Sequence, residues 1–168
     1  DRGGGRRELS HGDGRRRALS GRPSGAPPVE GGRRSWRMAA GRLPAPPICE
    51  SLGFGLSEVE LGRVVFTYTP SFAHYNPLGS VHGGIAATLL DSVMGCCIHT
   101  TLKAGTGYTT VEIKVNYVRA MSDKTGLVKA EGKVINVGSR IATSEGRLVD
   151  ASGKLLAHGT TSCLIFPI

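Results

Sequence analysis

The stretch His82-Gly-Gly-Ile-Ala-Ala-Thr-Leu-Leu-Asp91-Ser-Val-Met-Gly-Cys-Cys-Ile-His-Thr-Thr-Leu102 decides the fold. Its length and its apolar positions, Ile85, Ala86, Leu89, Leu90, Val93, Met94, Cys97 and Ile98, predict one long helix from about His82 to Leu102 that is apolar nearly all round. Such a helix is expected to be buried on all sides. What flanks it is strand-like. Upstream, Val64, Phe66 and Tyr68 alternate with Val65, Thr67 and Thr69 until Pro70 ends the run. Downstream, the period of two returns in Tyr108 to Val118, Gly126 to Val137, Ile141 to Val149 and Leu155 to Phe166. The connections Ser122-Asp123-Lys124, Gly138-Ser139 and Asp150-Ala151-Ser152-Gly153 carry turn chemistry, and short links predict antiparallel pairing. The expected architecture is α+β, an antiparallel sheet of five or six strands curled around one central helix.

Two units emerge from the composition. Residues 1–42 hold 11 Arg, no Lys, 10 Gly and 4 acids, and too few bulky apolar residues to offset the entropy of ordering. They are expected to be a disordered tail, either ahead of a true start at Met38 or an arginine-rich targeting or RNA-contacting arm. Residues 43–168 carry 10 Lys plus Arg against 9 acids, so the net charge of +8 belongs to the tail and gives the folded domain no nucleic-acid character. Pro44, Pro46 and Pro47 form an extended lead-in, and Ile48 to Leu52 a short helical turn before Gly53. Cys49, Cys96, Cys97 and Cys163 lack metal or redox spacing and read as small hydrophobes in a reducing cytosol. No apolar run reaches the length of a membrane span, so neither a membrane nor a metal is expected.

Chemistry concentrates at two places. Between Arg63 and Lys103 only Asp91 carries a formal charge, in the middle of the apolar helix. A carboxylate there is costly unless paired or hydrogen-bonded. It reads either as a group solvated at a groove or bonded to a neighbouring backbone or hydroxyl group, or as a general base or nucleophile whose proton affinity burial has raised. The helix entrance, Asn76-Pro-Leu-Gly-Ser-Val-His82-Gly83-Gly84, is the second place. Its glycines permit close approach of a ligand, and unpaired N–H groups at a helix start can hold a developing oxyanion. Gly83 and Asp91 are eight residues apart, about 12 Å along a helix axis. If both act on one carbonyl, Asp91 must come from a second subunit whose helix runs antiparallel across a two-fold axis, so at least a dimer is expected.

The segment Asn76-Pro-Leu-Gly-Ser-Val-His-Gly-Gly-Ile-Ala-Ala-Thr-Leu-Leu-Asp91, with Val111 to Arg119 and Val149 to Gly159, resembles the PaaI-like (phenylacetate-pathway) branch of hotdog-fold acyl-CoA thioesterases from about Pro46 to Phe166. The resemblance implies a hotdog sheet around its helix and hydrolysis of a medium-chain or aromatic acyl-CoA. It implies that Gly83 donates its N–H to the thioester oxygen with Asn76 assisting. Asp91 of the partner subunit then activates water or attacks the acyl carbon. His82 organises the loop, and Thr110 stands where other members carry a hydroxyl that orients the water. A tetramer in the cytoplasm is expected, with coenzyme A present as part of the substrate and no other cofactor. Arg119 and the turn Gly138-Ser139-Arg140 are candidates for its phosphates, since guanidinium and free turn amides suit that ligand. His74, His99 and His158 are read as structural. Two other readings remain: a non-catalytic acyl-CoA-binding module, and a hotdog dehydratase or hydratase using His82 with Asp91.

Overall fold

The computed structural model describes Arg37 and residues 43–168; the expectations for the tail, disorder over 1–42 and a start at Met38, lie outside the described residues. The lead-in forms a short helix, Pro47–Leu52, closed by Gly53 at φ 67°, where the Gly53 N–H bonds the Cys49 carbonyl. Glycine meets that left-handed closure at little cost. Six strands follow: β1 (Phe54–Glu60), β2 (Arg63–Tyr68), β3 (Thr106–Tyr117), β4 (Val128–Val137), β5 (Ile141–Asp150) and β6 (Leu155–Pro167). They form one antiparallel sheet ordered β1-β2-β4-β5-β6-β3. The central helix, Gly83–His99, lies between β2 and β3 in sequence and touches all six strands. This is the hotdog architecture. No helix among the described residues is long and apolar enough to cross a membrane.

The structure departs from the sequence reading in three respects. Strand β1 escapes the alternation rule because Phe-Gly-Leu-Ser-Glu-Val-Glu mixes glycine and charge with its apolar residues, and a register shift between Leu56 and Glu58 breaks the period. The link around Ser122-Asp123-Lys124 is no hairpin. Strand β3 pairs with β6, while β4 enters the sheet between β2 and β5. After Tyr117 the chain leaves its strand because the Val118 and Arg119 N–H groups both reach the Leu156 carbonyl and the Met121 carbonyl accepts from Val81 N–H.

The third difference concerns the helix. Leu89, Leu90, Val93, Met94, Cys97 and Ile98 are buried, yet Asp91 is exposed, with Gly84, Ala87 and Thr88 half-buried on the preceding turns. The sheet wraps the helix incompletely and leaves a stripe open beside edge strand β3. Elsewhere the contact is closer than side chains permit. A Cβ on Gly132 of β4 would stand 2.4 Å from the Val93 carbonyl oxygen, and one on Gly146 of β5 would stand 2.9 Å from Met94 Cγ. Gly132 and Gly146 are register partners, so the helix rests on sheet backbone there. The Ser144 hydroxyl secures it by donating to the Met94 carbonyl at 2.9 Å.

Candidate active site

The loop into the helix is held from several sides. Tyr68 Oη and His74 Nδ1 share a 2.8 Å hydrogen bond, and the His82 N–H donates to the His74 carbonyl at 2.8 Å. Tyr75 Oη donates to Asp123 Oδ1 at 2.8 Å and accepts from the Asp123 N–H at 2.9 Å. That pair, with the bond from Val81 N–H to the Met121 carbonyl, ties the loop to the crossover after β3. Asn76 folds the loop itself. Its Oδ1 accepts from the Leu78 N–H at 2.9 Å and the Ser80 N–H at 3.3 Å, while Nδ2 donates to Ser80 Oγ at 3.2 Å. An amide nitrogen carries two hydrogens, so one remains for a ligand.

His82 is the N-cap of the central helix, and its Nδ1 accepts from the Gly84 N–H at 2.8 Å. The Ile85 N–H goes to the His82 carbonyl at 3.0 Å. This leaves the Gly83 N–H as the one donor of the first three helical residues with no acceptor among the described residues. It sits at the positive end of the helix dipole, where an anion is favoured. Because His82 Nδ1 is occupied as a cap, His82→Asn, which keeps a capping acceptor, is expected to fall well short of the roughly 100-fold or greater rate loss that removing a general base brings. His82→Ala is expected to cost about 1 kcal/mol of stability. Steady-state kinetics and thermal melts check the two.

Asp91 lies on the open stripe of the helix, not in the apolar interior, so any burial of its carboxylate must come from outside the single chain. Thr110 Oγ1 donates to Asp91 Oδ1 at 2.9 Å. The register of β3 against β6 shifts between Thr110 and Glu112, and bulges of this kind re-aim neighbouring side chains. Thr110→Val is expected to lower turnover about 10- to 100-fold, the range for losing a hydrogen bond to a charged group. A kcat loss with KM little changed is the expected signature. Behind Thr110, the buried Cys163 Sγ lies 3.9 Å from its hydroxyl, and burial pushes that thiol up. Burial likewise pushes the Cys97 thiol up to about 12. Both stay protonated at neutral pH and pack as small apolar groups.

The anticipated residues fall into two groups at opposite ends of the chain's sheet. Asn76, Gly83 and Arg119 line one cleft of about 280 Å³, with His82 capping the helix beside it. Asp91 and Thr110 lie at the other end. The Gly138-Ser139-Arg140 turn is on that side too, since the Arg140 carbonyl accepts from the Ile165 N–H and Ile165 pairs with Tyr108. Arg119 follows the far end of β3, beyond Tyr117. One chain therefore does not bring its own Gly83 and Asp91 together. Sequence reasoning missed Tyr117, whose ring carbons stand 3.2 and 3.3 Å from where a Gly83 Cβ would be. It also missed the Tyr75–Asp123 pair. The alternation that sets Tyr117 on the same face of β3 as the half-buried Val115 could have signalled the first; nothing local signals the second.

Residues 78–157 match the family model of the thioesterase superfamily. Human acyl-coenzyme A thioesterase 13 is 27% identical over 99 residues, covering 58% of this chain and 69% of the relative. The 1,4-dihydroxy-2-naphthoyl-CoA hydrolase of Listeria monocytogenes is 25% identical over 107 residues, covering 64% of this chain and 85% of the relative. Among solved structures, a phenylacetic acid degradation-related protein from Ralstonia eutropha superposes with a TM-score of 0.70 at 27% identity, over 77% of this chain and 98% of that one.

Proposed function

From the premise that this chain belongs to the thioesterase superfamily and is a hotdog-fold thioester hydrolase, we propose that it cleaves a medium-chain or aromatic acyl-CoA to the free acid and CoA. The observation that carries the reading is the unpaired Gly83 N–H at the helix start, eight residues before a carboxylate held by Thr110. The thioester oxygen sits against the Gly83 N–H, with the spare hydrogen of Asn76 Nδ2 as second donor. Charge developing on that oxygen is then stabilised by donors already in place. Asp91 of a second copy takes a proton from water as the water oxygen attacks the acyl carbon, or attacks the carbon itself. The tetrahedral adduct collapses with cleavage of the C–S bond, and the CoA sulfur leaves as a thiolate that takes up the proton removed from water; where Asp91 attacks directly, water then hydrolyses the mixed anhydride to release the acid and restore the carboxylate.

Edge strand β3 favours this two-chain site. It carries Val111 and Tyr117 more than half exposed, with Val118 just beyond its end nearly half exposed, beside the open helix stripe that bears Asp91. An unpaired edge with apolar residues invites pairing. Two copies set antiparallel along this edge by a two-fold axis perpendicular to the strand place Gly83 of one near Asp91 of the other, and such pairs associate further into a tetramer. Arg119 from one chain and the Gly138-Ser139-Arg140 turn from the other then frame the phosphates of coenzyme A. The reaction uses neither a metal nor a redox cofactor and takes place in the cytoplasm. Because His82 Nδ1 accepts from the Gly84 N–H, the neutral ring carries its proton on Nε2 and has no second lone pair to act as the base the dehydratase reading needs.

The test is thiol release from phenylacetyl-, benzoyl- and hexanoyl-CoA, followed beside hydroxyacyl and enoyl thioesters. Steady hydrolysis of one of the first three supports the proposal. Tight binding with no turnover would move the chain to the non-catalytic acyl-CoA-binding class.

A further inference from the structure

Resting on the thioesterase reading, we propose that the cleft behind Gly83 is the acyl pocket and that Tyr117 is its specificity-determining residue, limiting the acyl group to short aromatic or medium-length chains.

The cleft has a polar rim and an apolar floor. Asn76, Ser80 and Arg119 stand among its rim residues. Its floor is made by Ala86, Leu148, Leu156 and Ala157, all at most 4% exposed, and carries no charge. A group anchored by its carbonyl oxygen at the Gly83 N–H thus has an apolar cavity on one side and an exposed guanidinium on the other. The hydrocarbon belongs in the first and the polyanionic leaving group beside the second, because apolar surface gains by leaving water and phosphate gains from arginine. The cavity's 280 Å³ falls just below the roughly 300 to 1,000 Å³ of drug-sized pockets. A phenyl ring or a short chain is accommodated, and a long fatty chain must leave through the roof.

Tyr117 forms that roof. It closes β3 opposite Ala157 of the floor, and its ring covers Gly83 so closely that Cε1 and Cζ come within 3.2 and 3.3 Å of the missing Cβ. The ring therefore adjoins the donor at which the acyl chain begins. At 59% exposed, it lies outside the hydrophobic core and can be removed without opening it.

The experiment compares kcat/KM for phenylacetyl-, hexanoyl-, octanoyl- and palmitoyl-CoA in wild type, Tyr117→Phe, Tyr117→Ala and Ala120→Trp; Ala120 is an exposed cleft residue whose replacement leaves the core intact. Tyr117→Phe keeps the ring and is expected to keep the wild-type profile. Tyr117→Ala is expected to raise the palmitoyl-to-hexanoyl ratio at least about 10-fold, the low end for pocket discrimination, mainly through KM. Ala120→Trp is expected to lower octanoyl relative to hexanoyl turnover. Wild-type hydrolysis with a profile unmoved by Tyr117→Ala and Ala120→Trp would place the acyl group elsewhere and leave the thioesterase reading standing. Absence of turnover on every ester would remove that reading and this inference together.

Discussion

Replacing Asp91 by Asn or Ala is expected to lower kcat for thiol release by at least about 100-fold, the low end of what a general base contributes. The carboxylate is exposed and its local bond is a single one from Thr110, so the fold should not suffer; unchanged melting separates lost chemistry from lost structure. The two-chain arrangement adds a sharper outcome. Gly83→Val, whose side chain would strike the Tyr117 ring, is expected to be inactive on its own. Mixing unfolded Asp91→Asn and Gly83→Val chains and refolding them together should restore roughly a quarter of wild-type turnover. Half of randomly assembled dimers are hybrids, and each hybrid has one site free of both changes. No recovery on mixing, with dimers formed, would mean that Gly83 and Asp91 do not meet across chains.

The largest effect on stability is expected at Gly132. An alanine there puts its methyl carbon 2.4 Å from the Val93 carbonyl oxygen and 3.0 Å from the Met94 nitrogen, both backbone atoms that no rotamer change can move. The helix must lift from β4, opening contacts around Val93 and Met94, which are completely buried. Overpacking of this kind costs about 3 kcal/mol. For a domain of this size that lowers Tm by roughly 10 °C. Gly153→Ala is a useful comparison: it has positive φ but nothing within 4 Å, so it isolates conformational strain from collision.

Much of this molecule is legible locally, and what is not has a common physical cause. The central helix, the turn closed by Gly53 and strands β2 to β6 each announce themselves through periodicity or turn residues inside a short window. The placement of β4 between β2 and β5 does not, because it depends on which distant backbone groups claim Val118, Arg119 and Met121. Asp91 illustrates the same limit. Its apolar sequence surroundings leave burial and solvation at a groove both open, and only the structure shows that the helix turns it to the side the sheet leaves uncovered. Thr110 could be named only through resemblance, and the structure sets its hydroxyl on the Asp91 carboxylate. The Tyr75–Asp123 bond joins residues far apart in the chain and leaves no trace in either neighbourhood.

In the proposed two-chain site, an exposed carboxylate midway along the helix and an unpaired donor at its start make each folded protomer half of two reactors. Folding and activation are then separate equilibria: the first depends on the chain alone, the second on how much of it there is. Dilution below the dissociation constant of the pair leaves every strand in place while activity per chain falls, and synthesis beyond that threshold switches the population on by mass action.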